Sequence, residues 1–112
     1  MREAVIVSFA RTPIGKAFRG AFNDTEATVL SGHVVREAVK RARLEGAEVE
    51  DLVLGCATQQ GAQGYNIGRL SAITGGLPET VPGMTIDRKC ASGLMGIATA
   101  AKQVIVDGMN VG

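Results

Sequence analysis

Three short β-branched runs, each followed by a glycine-bearing loop and then by helical periodicity, decide what this chain can fold into. Ala4-Val5-Ile6-Val7-Ser8-Phe9-Ala10 reads as a buried first strand, Asp51 to Ala57 as a second, and Val81 to Asp87 as a third. Pro82 falls near the start of the third, where a proline is tolerated. After the first run, Arg11 to Asn23 is a loop with Pro13, Gly15 and Gly20, and Asp24 or Thr25 caps a helix reaching about Arg43. Its inner face is predicted to be Ala27, Leu30, Ser31, Val34, Ala38 and Ala42, with Gly46 as the stop. After the second run, the glutamine- and glycine-rich loop Thr58 to Tyr65 leads to Asn66 as cap of a helix from Ile67 to Thr74, ended by Gly75-Gly76 and Pro78. After the third comes a helix from about Cys90 to Val106, closed by Asp107-Gly108. Three strand–helix pairs predict an α/β fold: a mostly parallel sheet, right-handed crossovers, and helices on both faces. Met109 to Gly112 reads as the approach to a fourth strand, so the sequence is expected to be the N-terminal piece of something longer.

Composition narrows the function. With 112 residues, 46% hydrophobic and 21% charged, the chain suits one compact domain and not a disordered segment. Twelve basic against eleven acidic residues leave no electrostatic footprint for nucleic acid or an anionic membrane. No apolar run approaches the ~18 residues of a membrane span, and Ala4 to Val7 is too short for a signal-peptide core. Cys56 and Cys90, with no C-x-x-C and a single histidine, make neither a disulfide framework nor a zinc site. No metal is therefore expected, and a reducing compartment, the cytoplasm, fits. Gly61, Gly64 and Gly68 do not form a G-x-G-x-x-G turn, so the usual phosphate cradle is missing. Fifteen glycines in all point to tight turns and close backbone contacts, as around the sites of α/β enzymes.

In such sheets, sites form where the carboxyl ends of strands run into helices. Cys90 falls at such a junction, at the positive end of a helix macrodipole, a setting that favours a thiolate. Small residues at Ala91 and Gly93 let a substrate carbonyl come close, and the amides of the helix start are candidates to hold an oxyanion. The competing reading is a small buried hydrophobe, which free cysteines often are. Cys56, inside an apolar strand with no helix start behind it, reads as core. His33 lies beside Arg36, Glu37 and Lys40 on the polar edge of its helix and reads as a surface residue. Ser92 is expected to satisfy helix N-terminal groups, and Met84, Leu94, Met95 and Ile97 to be core.

The stretch Thr85-Ile86-Asp87-Arg88-Lys89-Cys90-Ala91-Ser92-Gly93-Leu94 closely resembles the nucleophile motif of the thiolase family. Three further segments agree in order and spacing. Ala4 to Lys16 resembles the family's N-terminal strand and loop, Gly55-Cys56-Ala57-Thr58-Gln59 the end of its second strand, and Gly64-Tyr65-Asn66-Ile67-Gly68-Arg69 its Asn-Pro-Ala-Arg segment. The resemblance implies an acyl-CoA C-acyltransferase built of two similar α/β halves. Residues 1–112 would be most of the first, an N-terminal domain cut before its last strands. Cys90 is then the nucleophile that takes an acyl group from acetyl-CoA or another acyl-CoA. The reaction implied is Claisen condensation, or in reverse thiolysis of a 3-ketoacyl-CoA, in fatty acid metabolism. The resemblance implies no metal or prosthetic group, since the CoA thioester is itself the substrate, and it suggests a homodimer or homotetramer.

The family's histidine base and second cysteine come from its C-terminal half, so these residues alone are expected not to turn over. Asp87 stands where many relatives carry Asn, and Ile67-Gly68 replaces the frequent Pro-Ala. Arg69 and Arg88 are candidates for CoA phosphates or, alternatively, for structural ion pairs. Leu94 or Met95 is a candidate edge of an acyl pocket, and the CoA-binding residues are otherwise unassigned. Two rivals stand beside this reading. One is another condensing enzyme of the superfamily, such as a ketoacyl synthase, against which the run from Arg88 to Leu94 argues. The other is a non-catalytic assembly chain, with the loop Gln59 to Asn66 near a subunit contact.

Overall fold

The first helix, α1 (Ala27–Ala42), follows Glu26 and ends at Arg43, whose left-handed backbone (φ 59°) lets its N–H reach the Lys40 carbonyl at 3.1 Å. The stop expected at Gly46 is thus made three residues earlier, and Gly46 opens a 3-10 turn to Glu48 instead. In the computed structural model, which describes all 112 residues, α1 packs on α2 (Ile67–Thr74). The contact runs along Ser31, which belongs to the expected inner face, and along Gly32 and Val35, one position beyond expected members. A Cβ on Gly32 would lie 2.9 Å from the Thr74 carbonyl carbon, and one on Gly75 would meet Val35 at 2.8 Å. Ser31 and Ser71 hydroxyls meet at 2.6 Å in this seam. Backbones this close need small residues at the crossing, so Gly32, Gly75 and the two serines set the distance and Val35 packs beside them.

Two strands, β1 (Leu52–Gly55) and β2 (Gly83–Ile86), pair in parallel with Leu52 opposite Gly83 and Gly55 opposite Ile86. Paired residues share a face, and faces alternate along each strand. Leu52, Gly83, Leu54 and Thr85 therefore point one way, and Val53, Met84, Gly55 and Ile86 the other. Helix α2 covers the first face: a Cβ on Gly83 would touch Arg69, and the Gly68 N–H donates to Thr85 Oγ1 at 2.9 Å. The core of Val49, Ala72, Leu77 and Val81 lies here, with Leu52, Val35, Val39 and Val111 packed against it. Helix α3 (Ser92–Lys102) covers the second face, its Gly96 against the Val53 carbonyl and its Ser92 against Gly55. A parallel sheet covered by helices on both faces is what the sequence pattern predicts.

Two expectations fail, each for a physical reason. Residues 1–16 form no strand. Their β-branched run favours extended backbone, but no backbone hydrogen bond joins it to the edge of either strand, and without a ladder it is no strand. It is tied instead to α1, by Ser8 Oγ on the Ala38 carbonyl (2.7 Å) and Arg41 on the Phe9 carbonyl (2.8 Å), with Val5, Ile6, Val7 and Phe9 exposed. Met109 to Gly112, read as the approach to a strand, forms none here but lies beside the start of β1, where the Glu50 N–H donates to the Val111 carbonyl at 2.9 Å. Nor do Met84, Leu94 and Ile97 join a core: they are 36%, 72% and 56% exposed. The side of α3 that meets the sheet is Ser92 and Gly96, because the helix backbone itself sits on β1, and the larger residues turn outward. The last helix ends at Lys102, and a π-helical turn, Gln103–Asp107, carries the chain to Gly108, left-handed at φ 81°. No helix is long and apolar enough to cross a membrane.

Candidate active site

Beyond Ile86 the chain turns sharply into α3, and Cys90 stands exposed on that elbow. The turn requires Lys89 in the left-handed region (φ 49°), a conformation that costs about 1–2 kcal/mol for a residue with a Cβ. Local bonds offset it. Asp87 Oδ1 accepts the Lys89 N–H at 2.7 Å and Oδ2 pairs with Lys89 Nζ at 2.9 Å. Ala91 N–H donates to the Arg88 carbonyl (3.0 Å) and Ser92 N–H to the Lys89 carbonyl (3.1 Å). The Ser92 hydroxyl, on a residue only 3% exposed, accepts from the Arg88 N–H at 2.8 Å and donates to the Lys89 carbonyl at 2.6 Å. It staples the turn, whereas the sequence assigned it to the helix N-terminus.

The elbow rests on β1 through Gly55. A Cβ there would lie 2.3 Å from the Ser92 carbonyl carbon and 2.4 Å from the Gly93 nitrogen. Gly93 itself faces open space, with nothing within 4 Å of a Cβ. The N–H groups of Cys90, Gly93 and Leu94 have no partner within the chain. An exposed free thiol thus lies on the same elbow as free amide donors at a helix N-terminus, an arrangement that could supply both attack on a carbonyl and stabilisation of its oxyanion.

The other candidates separate from this site. Cys56 is 8% exposed, and its sulfur lies 3.4 Å from the Thr58 carbonyl and 3.5 Å from Gln63 Oε1, which anchors the following loop. Arg69 donates to the carbonyls of Val81 and Glu79 and braces the turn before β2. The Arg88 side chain is exposed beside the elbow, and His33 is exposed on α1. Asn66 sits at the N-cap position of α2 but is left-handed (φ 56°) and caps nothing with its side chain. Its amide instead donates to the Gly83 carbonyl (2.8 Å) and accepts from Thr85 Oγ1 (2.7 Å), clamping the loop to β2. Sequence reasoning missed Gly55 as the support of the elbow. The available signal was a glycine ending an otherwise apolar strand, which marks close backbone approach.

The hydrogen bonds from the Lys89 ammonium and then from its backbone N–H, helped least by its charge, hold the Asp87 carboxyl below the ordinary 3.8 against opposing desolvation. A carboxyl lowered on folding stabilises the turn above its unfolded value, and that contribution is lost as pH falls through the lower folded value. Carbonyl-carbon NMR titration is expected to place the Asp87 midpoint below 3.8. Lys89→Ala is expected to raise it only part of the way back, because the backbone N–H remains. Asp87→Asn keeps the acceptor for that N–H and is expected to leave the elbow intact, whereas Asp87→Ala loosens it.

An α/β unit that lifts a cysteine on a strand-to-helix elbow, beside free amides, is a frame for nucleophilic chemistry on a carbonyl. Comparison with known proteins gives its family. Residues 4–112 match the family model of the thiolase N-terminal domain, and the chain belongs to that family. It is similar to the 3-ketoacyl-CoA thiolase of Bacillus subtilis (strain 168), with 44% identity over 106 residues, covering 95% of this chain and 27% of that protein. It is equally similar to the 3-ketoacyl-CoA thiolase of Acinetobacter baumannii (strain AYE), 44% over 103 residues, covering 92% and 26%. The crystal structure of the Bacillus anthracis acetyl-CoA acetyltransferase superposes with a TM-score of 0.89 at 38% identity, over 96% of this chain and 27% of that one. The chain spans about a quarter of the length of the curated relatives it matches.

Proposed function

We propose that this chain carries the acyl-accepting half of a thiolase reaction, with Cys90 as nucleophile and acyl-CoA thioesters as substrates. The Cys90 sulfur attacks the thioester carbonyl, the oxyanion is held by free amides at the elbow, and collapse expels the CoA thiolate to leave an acyl thioester on Cys90. The α carbon of a second acyl-CoA, once deprotonated, attacks that thioester, forming the carbon–carbon bond and releasing the Cys90 thiolate. Thiolysis of a 3-ketoacyl-CoA runs the same steps backwards. The base that removes the α proton lies outside these residues, since the only histidine is on the exposed side of α1. As proposed, no metal or prosthetic group takes part.

The observation that carries the reading is the exposed Cys90 beside the unpartnered N–H groups of Cys90, Gly93 and Leu94. Two free cysteines support a reducing, cytoplasmic setting. The exposed apolar side chains of Val5, Val7, Phe9, Leu94 and Ile97 support burial against further polypeptide, as in a homodimer or homotetramer. The test is rapid mixing with acetyl-CoA. A burst of free CoA equal to the concentration of Cys90, preceding any steady turnover, is the expected result, and release without a burst counts against a covalent intermediate.

A further inference from the structure

The Ser92 hydroxyl has a use beyond closing the turn. All peptide bonds in the chain are trans, so the C=O and N–H of the peptide joining Lys89 to Cys90 point in opposite directions. Whatever fixes the Lys89 carbonyl therefore fixes the Cys90 N–H. That carbonyl receives two donors, the Ser92 hydroxyl at 2.6 Å and the Ser92 N–H at 3.1 Å, and both draw it toward the first turn of α3. The opposite end of the same plane, the Cys90 N–H, is turned away from the helix and has no partner in the chain. The hydroxyl in turn is held by the Arg88 N–H at 2.8 Å, and Ser92 is nearly fully buried, so it has no freedom to swing aside.

We propose that Ser92 is a positioning residue: by holding the Lys89 carbonyl inward it aims the Cys90 N–H outward as an oxyanion donor. The proposal rests on the reading of Cys90 as acyl acceptor. Without the hydroxyl, the shorter of the two bonds on the Lys89 carbonyl is lost and the Arg88 N–H loses its partner. The peptide then rocks about a left-handed residue, and the donor no longer meets the oxyanion in a fixed place.

Alkylation separates this role from a structural one, because displacement at a saturated carbon forms no oxyanion. Ser92→Ala is compared with wild type, both expressed from the protein's own gene, for acylation by acetyl-CoA and for alkylation by iodoacetamide at Cys90 and Cys56. Acylation is expected to fall at least ~10-fold, toward the ~10²–10³ lost when an oxyanion donor is removed outright. Half-saturation by acetyl-CoA and the alkylation rate of Cys90 are expected to stay unchanged, with Cys56 protected. Acylation at the wild-type rate overturns the proposal. So does exposure of Cys56 to alkylation, since the hydroxyl would then be holding the fold as a whole. A wild-type protein that is alkylated at Cys90 but never acylated removes the acyl-acceptor reading, and the proposal with it.

Discussion

Cys90→Ala is expected to leave the fold intact and to lower acyl transfer from acetyl-CoA by at least ~10⁴-fold, the scale on which a covalent mechanism fails without its nucleophile. The two halves of that expectation come from the same geometry. Cys90 is exposed on the outside of the elbow, so removing its sulfur opens no cavity, and every bond that shapes the turn is made by Asp87, Arg88, Lys89, Ala91 and Ser92. Cys56→Ala is the matching control with the opposite signature. Its sulfur is buried against the loop after β1, so the substitution is expected to cost about 1–2 kcal/mol of stability and to leave acylation in place. Thermal unfolding and CoA release on the two variants read the two effects separately.

Gly55→Ala is expected to damage fold and site together. The new Cβ would lie 2.3 Å from the Ser92 carbonyl carbon and 2.4 Å from both the Ser92 oxygen and the Gly93 nitrogen. These are backbone atoms of a helix start, with no flexible side chain to yield. Relief requires α3 to lift from β1, which opens the sheet face and displaces the elbow together. A loss of about 3 kcal/mol or more follows, at the upper end of overpacking effects, and acylation falls with it. Gly93→Ala makes the contrast. Nothing lies within 4 Å of a Cβ there, so the helix gains about 0.5–1 kcal/mol, while the methyl intrudes on the open side next to Cys90. Higher stability with slower acylation is the expected pair, and the melting temperature against the CoA burst measures it.

The parts of the fold that periodicity and turn chemistry encode were legible from the residues. The helix from Ile67 to Thr74 has the bounds expected, and the second and third strands hold the observed four-residue cores. Gly108 ends the last helical segment as expected. What misled was long-range. A β-branched run such as Ala4 to Ala10 predicts extended backbone, but a strand also needs a neighbour, and sequence pattern says nothing of whether one is present. The expected inner face of α1, Ala27 to Ala42, is half-buried throughout, but the closest contacts of two helices were not legible, for a related reason. In α1 and α3 the contact sides are Ser31, Gly32, Ser92 and Gly96, because close backbone approach favours small residues that a hydrophobicity pattern does not count. At the site, the cysteine at a strand-to-helix junction was legible, and its motif resembled the thiolases. The left-handed Lys89 and the staple by Ser92 were not, since both depend on how the turn closes and not on residue type alone.

The most direct measurement is peptide mass spectrometry of the protein after brief exposure to acetyl-CoA and acid quenching. One acetyl group on the peptide containing Cys90, none on Cys56, and loss of the label when CoA is added back is the result expected of a thioester acceptor. An unlabelled Cys90 that iodoacetamide alkylates freely would contradict it, and would make the elbow a structural turn in an assembly chain.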